Sequence, residues 1–147
     1  MCLLINSATK PQPKIAEQDI VVYKLVHKLE NGKFLTPFKK YEVILGETYE
    51  DFVETPYKIK SLDTTNYTSN WYRIDIGFHS FANKADAKFY RAPSFGITDT
   101  IFTKFLKIVK CIIPKGSTYY EGVFCTFRSY VSDKIHYLKE QEDVFDS

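Results

Sequence analysis

Two segments confine what this chain can become: Ile20 to His27 (IVVYKLVH) and Phe105 to Ile113 (FLKIVKCII). Each is apolar on both alternating faces, the pattern of a strand covered on both sides. Neither approaches the ~18 apolar residues of a membrane span. Two such strands in 147 residues predict one shared sheet and one core.

The rest of the chain arranges itself around them. Residues 1–18, with Pro11 and Pro13 in a polar stretch, read as an extended N-terminal arm, and the domain proper runs over 19–138. Asn31-Gly32 predicts a tight hairpin, since both residues tolerate positive φ, with Phe34-Leu35 as the return strand ended by Pro37. Tyr41 to Leu45 is a further short strand before Gly46. Residues 50–70, holding Pro56 and a polar run, read as a long loop excursion. Tyr72 to Ile76 and Gly77 to Phe81 are extended pieces. Asn83 fits a helix N-cap with Asp86 three residues on, which predicts one short helix over 84–90 stopped by Pro93. Thr98 to Phe102 suits helix and strand alike. Pro114 to Ser117 is a turn, with Val123 to Phe127 as the antiparallel partner of the strand before it. Lys134 to Leu138 is a last strand, and 139–147 is an acidic tail. The expected fold is α+β: a single domain with a twisted, mostly antiparallel β-sheet and one short helix.

Composition narrows the class. Twelve Phe and eleven Tyr favour pleated, half-buried surfaces. Three cysteines, Cys2, Cys111 and Cys125, are odd in number and have no C-x-x-C spacing, which argues against a disulfide framework or a zinc site. Net charge is only +2, and of the basic residues only Arg73, Arg91 and Arg128 are arginines. Arginine is the residue that reads phosphate and guanine bidentately, so a sequence-specific nucleic-acid partner is not expected. A membrane partner is not expected either, and the expected location is cytoplasmic. The wealth of Lys, Ile, Phe and Tyr fits an AT-rich genome such as that of a phage or a gut bacterium.

No Gly-rich phosphate loop, H-E-x-x-H, G-x-S-x-G or calcium loop is present. His79, between Phe78 and Ser80 just ahead of the helix, is a candidate polar group at a cleft mouth, although a histidine that only bonds nearby backbone is the simpler account. His27 and His136 lie too far off in sequence to suggest a metal site, and none is expected. Tyr119 and Tyr120 follow a turn and could stack on a ligand, or cover a sheet edge. No residue is singled out as catalytic.

Several segments in order carry a resemblance: Asp19 to Lys24 (DIVVYK), Gly77 to Phe81 (GFHSF), Lys110 to Gly122 (KCIIPKGSTYYEG) and Tyr130 to Ile135 (YVSDKI). The chain resembles a set of small proteins of gut bacteria and their phages that carry no assigned activity. More remotely, Gly77 to Tyr90, Phe105 to Gly116 and Tyr130 to Leu138 are similar to strand-helix-strand pieces of the ADP-ribosyltransferase fold. That resemblance implies NAD as ligand and a cleft lined by Tyr23, His79, Ser80 and Tyr130. The family's glutamate has no counterpart, since the corresponding stretch reads Phe127-Arg128-Ser129-Tyr130.

The resulting expectation is a small accessory or binding protein that is not an enzyme, needs no cofactor, and acts on a protein or a small ligand. The alternatives are an atypical ADP-ribosyltransferase-like enzyme or binder of an NAD-derived ligand, and a component of a larger assembly such as a virion.

Overall fold

The computed structural model describes residues 3–29, 31–36, 41–59, 70–91 and 106–141. Its strands are β1 (Leu3–Asn6), β2 (Lys14–Ile15), β3 (Ile20–Lys28), β4 (Phe34–Leu35), β5 (Glu42–Val43), β6 (Thr48–Glu50) and β7 (Tyr57–Lys58). They continue with β8 (Trp71–Ile74), β9 (Phe78–Phe81), β10 (Leu106–Ile113), β11 (Thr118–Phe124), β12 (Phe127–Ser132) and β13 (Lys134–Tyr137). The helix α1 (Lys84–Arg91) follows β9. Strands far outweigh helix, so the architecture is a sheet-dominated antiparallel domain with one helix among the described residues.

The main path through the sheet is β6-β13-β10-β3-β9-β12-β11-β1-β8-β7. A flat sheet of that many strands, with neighbours about 4.8 Å apart, would be roughly 43 Å across. Yet β6 and β7, at its two ends, are consecutive in the chain, and the segment from Glu50 to Tyr57 reaches at most about 25 Å. The sheet must therefore roll until its ends approach. Residues 51–56 are the strap between them: Asp51 N donates to Asp133 O at 2.8 Å beside β13, and Glu54 N donates to Ile76 O at 3.3 Å beside β8. Glu54 Oε1 also accepts from the main-chain nitrogens of Asp75 and Ile76.

The core divides accordingly. Val22, Val26, Val109, Cys111, Ile113, Ile135 and Tyr137 pack on one face of the sheet with Phe34 and Val43. On the other face of β3 and β10, Leu25, Phe81, Leu106, Ile108 and Phe127 are covered by Ala87 and Tyr90 of α1. Leu3, Ile74, Tyr120 and Val131 form a third cluster beneath β1.

Several expectations change. The segment 1–18 is not only an arm: Leu3 is fully buried, β1 pairs with β8 and β11, and β2 pairs with β11. Gly122 makes this possible, since a Cβ there would collide with the Leu4 carbonyl oxygen. The first part of the 50–70 excursion is the strap and β7, which pairs with β8, while 60–69 lies outside the described residues. Val123 to Phe127 is not the partner of β10. It holds a hairpin tip, with Cys125 (φ 48) and Thr126 (φ 74) turning β11 back into β12, and β10 pairs with β3 and β13 instead. At Asn31-Gly32 only the glycine is left-handed (φ 82), with Leu29 N donating to Lys33 O at 2.8 Å. That is a longer loop with one left-handed glycine rather than a two-residue turn. The tail does not end at once: the Gln141 amide bonds both main-chain groups of Lys110, at 2.8 and 2.9 Å. Residues 92–105, with the ambiguous 98–102, and 142–147 lie outside the described residues.

Candidate functional site

The two flanks of β3 are unequal. On one side β10 pairs with it at every position from Ile20 to His27. On the other, β9 pairs only at Tyr23↔Phe81, and β4 only at His27 and Lys28. No strand is in register with Lys24, Leu25 and Val26 on that flank among the described residues. The sheet parts there, β4 following β3 and β9 following β12.

A cleft of about 820 Å³ occupies this parting. Phe78, Val43, Tyr49 and Tyr137 line it on the side of the Val22–Val26 cluster, and Leu25, Phe81, Leu106, Tyr90 and Phe124 on the helix side. Tyr41, Glu42, Glu50 and Asp51 are exposed and form its rim. Its volume is within the range of small-molecule sites, which are mostly apolar with a few placed polar groups.

Those polar groups sit on β3, β8 and β9. Lys24 Nζ crosses the parting and donates to the His79 main-chain oxygen at 2.8 Å, bridging strands where the ladder is missing. The His79 ring is buried, with Nδ1 3.1 Å from Gly77 O and Nε2 3.2 Å from Ile74 O. A neutral imidazole has one N–H and can satisfy only one of two carbonyls, whereas the charged ring would satisfy both. Burial wins over that gain, and the nearby Lys24 charge adds to it, bringing the pKa down to about 4. Asp75 accepts from Arg73 Nε at 2.7 Å and from the Tyr57 hydroxyl at 2.7 Å. Burial would raise its pKa, but the Tyr57 and Arg73 bonds together hold it below the usual value. Gly77 opens β9 at φ 136, and a Cβ there would stand 2.6 Å from Val131 Cγ2.

The residues singled out from sequence do not converge on one place. His79 lines the cleft. Its neighbour Ser80 is fully buried, and its hydroxyl has no protein partner. Tyr23 packs at the margin of the helix-side cluster, across from Phe81. Tyr130 is buried in the cluster of Val22 and Val26, edge-on to Tyr119 at 5.8 Å and beneath the Arg128 guanidinium. Tyr120 points the other way, into the cluster under β1, beside a smaller hollow of about 250 Å³. The tyrosines at 119 and 120 thus face opposite sides, as alternation in a strand requires.

Sequence reasoning passed over Lys24, Arg73 and Asp75. The signal for Lys24 was present: it is the one charge in an otherwise apolar eight-residue run. Arg73 and Asp75 carry no such mark, because only folding brings them to His79. Among the described residues no group of His, Cys, Asp and Glu is placed to hold a metal ion. No helix among them is long and apolar enough to cross a membrane. No family model, curated protein or solved structure matches the chain.

Proposed function

We propose that this is a non-catalytic binding protein that receives a small, largely apolar molecule in the cleft between β3 and β9. The observation that carries this reading is the parting itself. An interior strand with three consecutive residues unregistered on one flank among the described residues, opening on a cavity of about 820 Å³ lined from two of the three core clusters, costs stability that a bound molecule would restore. The non-catalytic part is supported by the fate of the reactive groups. The His79 ring is buried with each nitrogen facing a main-chain oxygen and its one N–H bonded there, and the Ser129 and Ser132 hydroxyls bond main-chain carbonyls. Burial pushes the Cys111 thiol up to about 12. The Thr48–His136 pair, at 2.8 Å, is on the exposed β6–β13 edge and does not line the cleft.

A thermal-shift screen of small apolar molecules tests the reading, with NAD and ADP-ribose included because of the remote fold resemblance. Saturable stabilisation is expected, about 2.7 kcal/mol at a hundred times Kd. It should be lost in Thr36→Trp, which fills the half-buried rim. A screen in which nothing stabilises the protein, or in which Thr36→Trp leaves the effect intact, overturns the assignment of the cleft.

A further inference from the structure

Tyr137 is only 1% exposed, yet its hydroxyl bonds no described residue. Its main chain is satisfied: the nitrogen donates to Glu47 O at 3.0 Å and the oxygen accepts from Gly46 N at 2.7 Å. The hydroxyl is not among the sealed-off orphan atoms of the interior, so it opens on the cleft that Tyr137 lines. Burial raises its pKa well above the ordinary value, which keeps it a neutral hydroxyl with one donor and two lone pairs. Left unbonded in so enclosed a wall, it forfeits free energy that a ligand group can return. Tyr49 lies edge-on to it, with ring centroids 5.7 Å apart, and the Tyr49 hydroxyl accepts from Ile44 N at 2.8 Å. Those contacts bring β6, with Tyr49 and Glu50, and β5, with Glu42 and Val43, to the same end of the cleft as Tyr137.

That end is also where negative charge collects. Among the described residues the cleft is lined by four carboxylates, Glu42, Glu50, Asp51 and Asp75, against two cations, Lys24 and Arg73. Both cations are engaged, Lys24 with the His79 carbonyl and Arg73 with Asp75 at 2.7 Å. The three carboxylates of the rim are poorly matched. Glu42 and Glu50 have long, exposed ion pairs, to Lys33 at 3.7 Å and Lys134 at 3.8 Å, which do little to mask them. Asp51 Oδ1 accepts from the main-chain nitrogen of Phe52, its neighbour in the chain, at 2.7 Å. Tyr41 and Tyr49 line the same end, and the face of a tyrosine ring attracts a cation.

Resting on the reading of the cleft as a binding site, we infer that its ligand is an amphiphilic amine bound in its ammonium form. The Tyr137 hydroxyl accepts one N–H of the head group, and Glu42, Glu50 and Asp51 supply the countercharge. The apolar body extends toward Phe78, Phe81 and Phe124. An acid of the same shape meets an excess of carboxylates and is rejected.

Three probes share one apolar body: 4-phenylbutan-1-amine, 4-phenylbutan-1-ol and 4-phenylbutanoate, titrated calorimetrically near neutral pH. The amine is expected to bind about tenfold tighter than the alcohol, and the carboxylate more weakly than either. With Glu42→Gln, Glu50→Gln and Asp51→Asn combined, the amine should fall to the affinity of the alcohol, whose own binding stays as it was. All three sites are exposed, so the combined variant is expected to fold, and circular dichroism checks it. Tyr137→Phe keeps the ring and removes the hydroxyl; it should weaken the amine about fivefold. Thr36→Trp should block all three probes. An alcohol or carboxylate that binds as tightly as the amine, or an amine preference that survives neutralisation of the rim, overturns the inference while leaving the cleft a binding site. An amine affinity unchanged in Tyr137→Phe overturns it too, since the head group is then elsewhere. If none of the three binds but another molecule in the screen does, the inference falls alone. If nothing binds, the binding reading falls with it.

Discussion

The two flanks of β3 are made by one stretch of chain and behave as opposites. Toward β10, eight successive residues are in register, and cross-strand pairs such as Leu25–Ile108 and Val22–Cys111 close an apolar seam. Toward β9 the register is one residue long, and a lysine side chain bridges the strands in place of a ladder. The seam contributes stability, since every buried methylene is worth about 0.8 kcal/mol. The parting forgoes that contribution and leaves a cavity with polar groups at its edge. A domain of this size has a small net stability, so an opening in its middle is a costly feature that function can explain and folding alone does not.

Truncation on the closed flank should show the largest difference. Ile108 is fully buried between Leu25 and the helix-side cluster. Ile108→Ala is expected to cost about 3–4 kcal/mol in urea unfolding. Phe78→Ala, half-buried on the cleft side, should cost markedly less, about 1–2 kcal/mol, because the cavity already exists and water can enter it. Equal losses would mean that the parting closes in solution.

Protonation sharpens the contrast, since the cleft edge carries the buried imidazole. The folded-state pKa of His79 is about 4, against an unfolded value of 6.5. Between those values the unfolded chain holds more protons. The stabilisation is therefore complete above pH 6.5 and is lost as pH falls toward 4. From pH 7.5 to 4.5 the loss attributable to His79 is about 2–3 kcal/mol. His79→Gln should unfold with a correspondingly shallower dependence over that window. A variant that loses as much as the wild type would show that the ring titrates alike in the folded and unfolded chain, and one that loses more would show a ring charged in the fold and bonded to both carbonyls.

How much of this was legible depends on which forces are local. The strands β3 and β10 and the helix α1 are written in short-range pattern: continuous apolar runs for the first two, and Asn83 followed by Asp86 for the third, whose side chains meet at 3.3 Å. The parting is not local. Nothing in Gly77 to Phe81 says that β9 will follow β12 for four residues and β3 for one. The N-terminal strand was hidden for a related reason: Leu3 to Asn6 is ordinary in sequence, and its burial depends on the bare backbone of Gly122, far along the chain. Tyr120 looked like a contact residue because sequence shows an aromatic but not the face of the strand it occupies, and Tyr130 was named only through the fold resemblance.

The hairpin tips show the same limit on a smaller scale, and they give the smallest effect. Asn31-Gly32 has the composition of a two-residue turn but uses only the glycine in the left-handed region. Cys125-Thr126 has no turn signature, yet both residues are left-handed, as a type I′ turn requires. For a β-branched residue such as Thr126 this is strained, by about 1–2 kcal/mol. The strain is carried by the aromatic packing around the tip. Phe124 and Phe127 are paired across the hairpin, and both rings lie within 6.1 Å of the Phe81 ring. Thr126→Gly should remove the strain and stabilise the fold by about 1 kcal/mol, a rise in Tm of roughly 3 °C, readable by calorimetry. Gly32→Ala should do the reverse by a similar amount. A Cβ there meets nothing within 4 Å, so backbone conformation at φ 82 is the whole of the cost. If Thr126→Gly destabilises instead, the tip of β11–β12 is not in the left-handed turn, and the register that holds Phe124 against the cleft must shift with it.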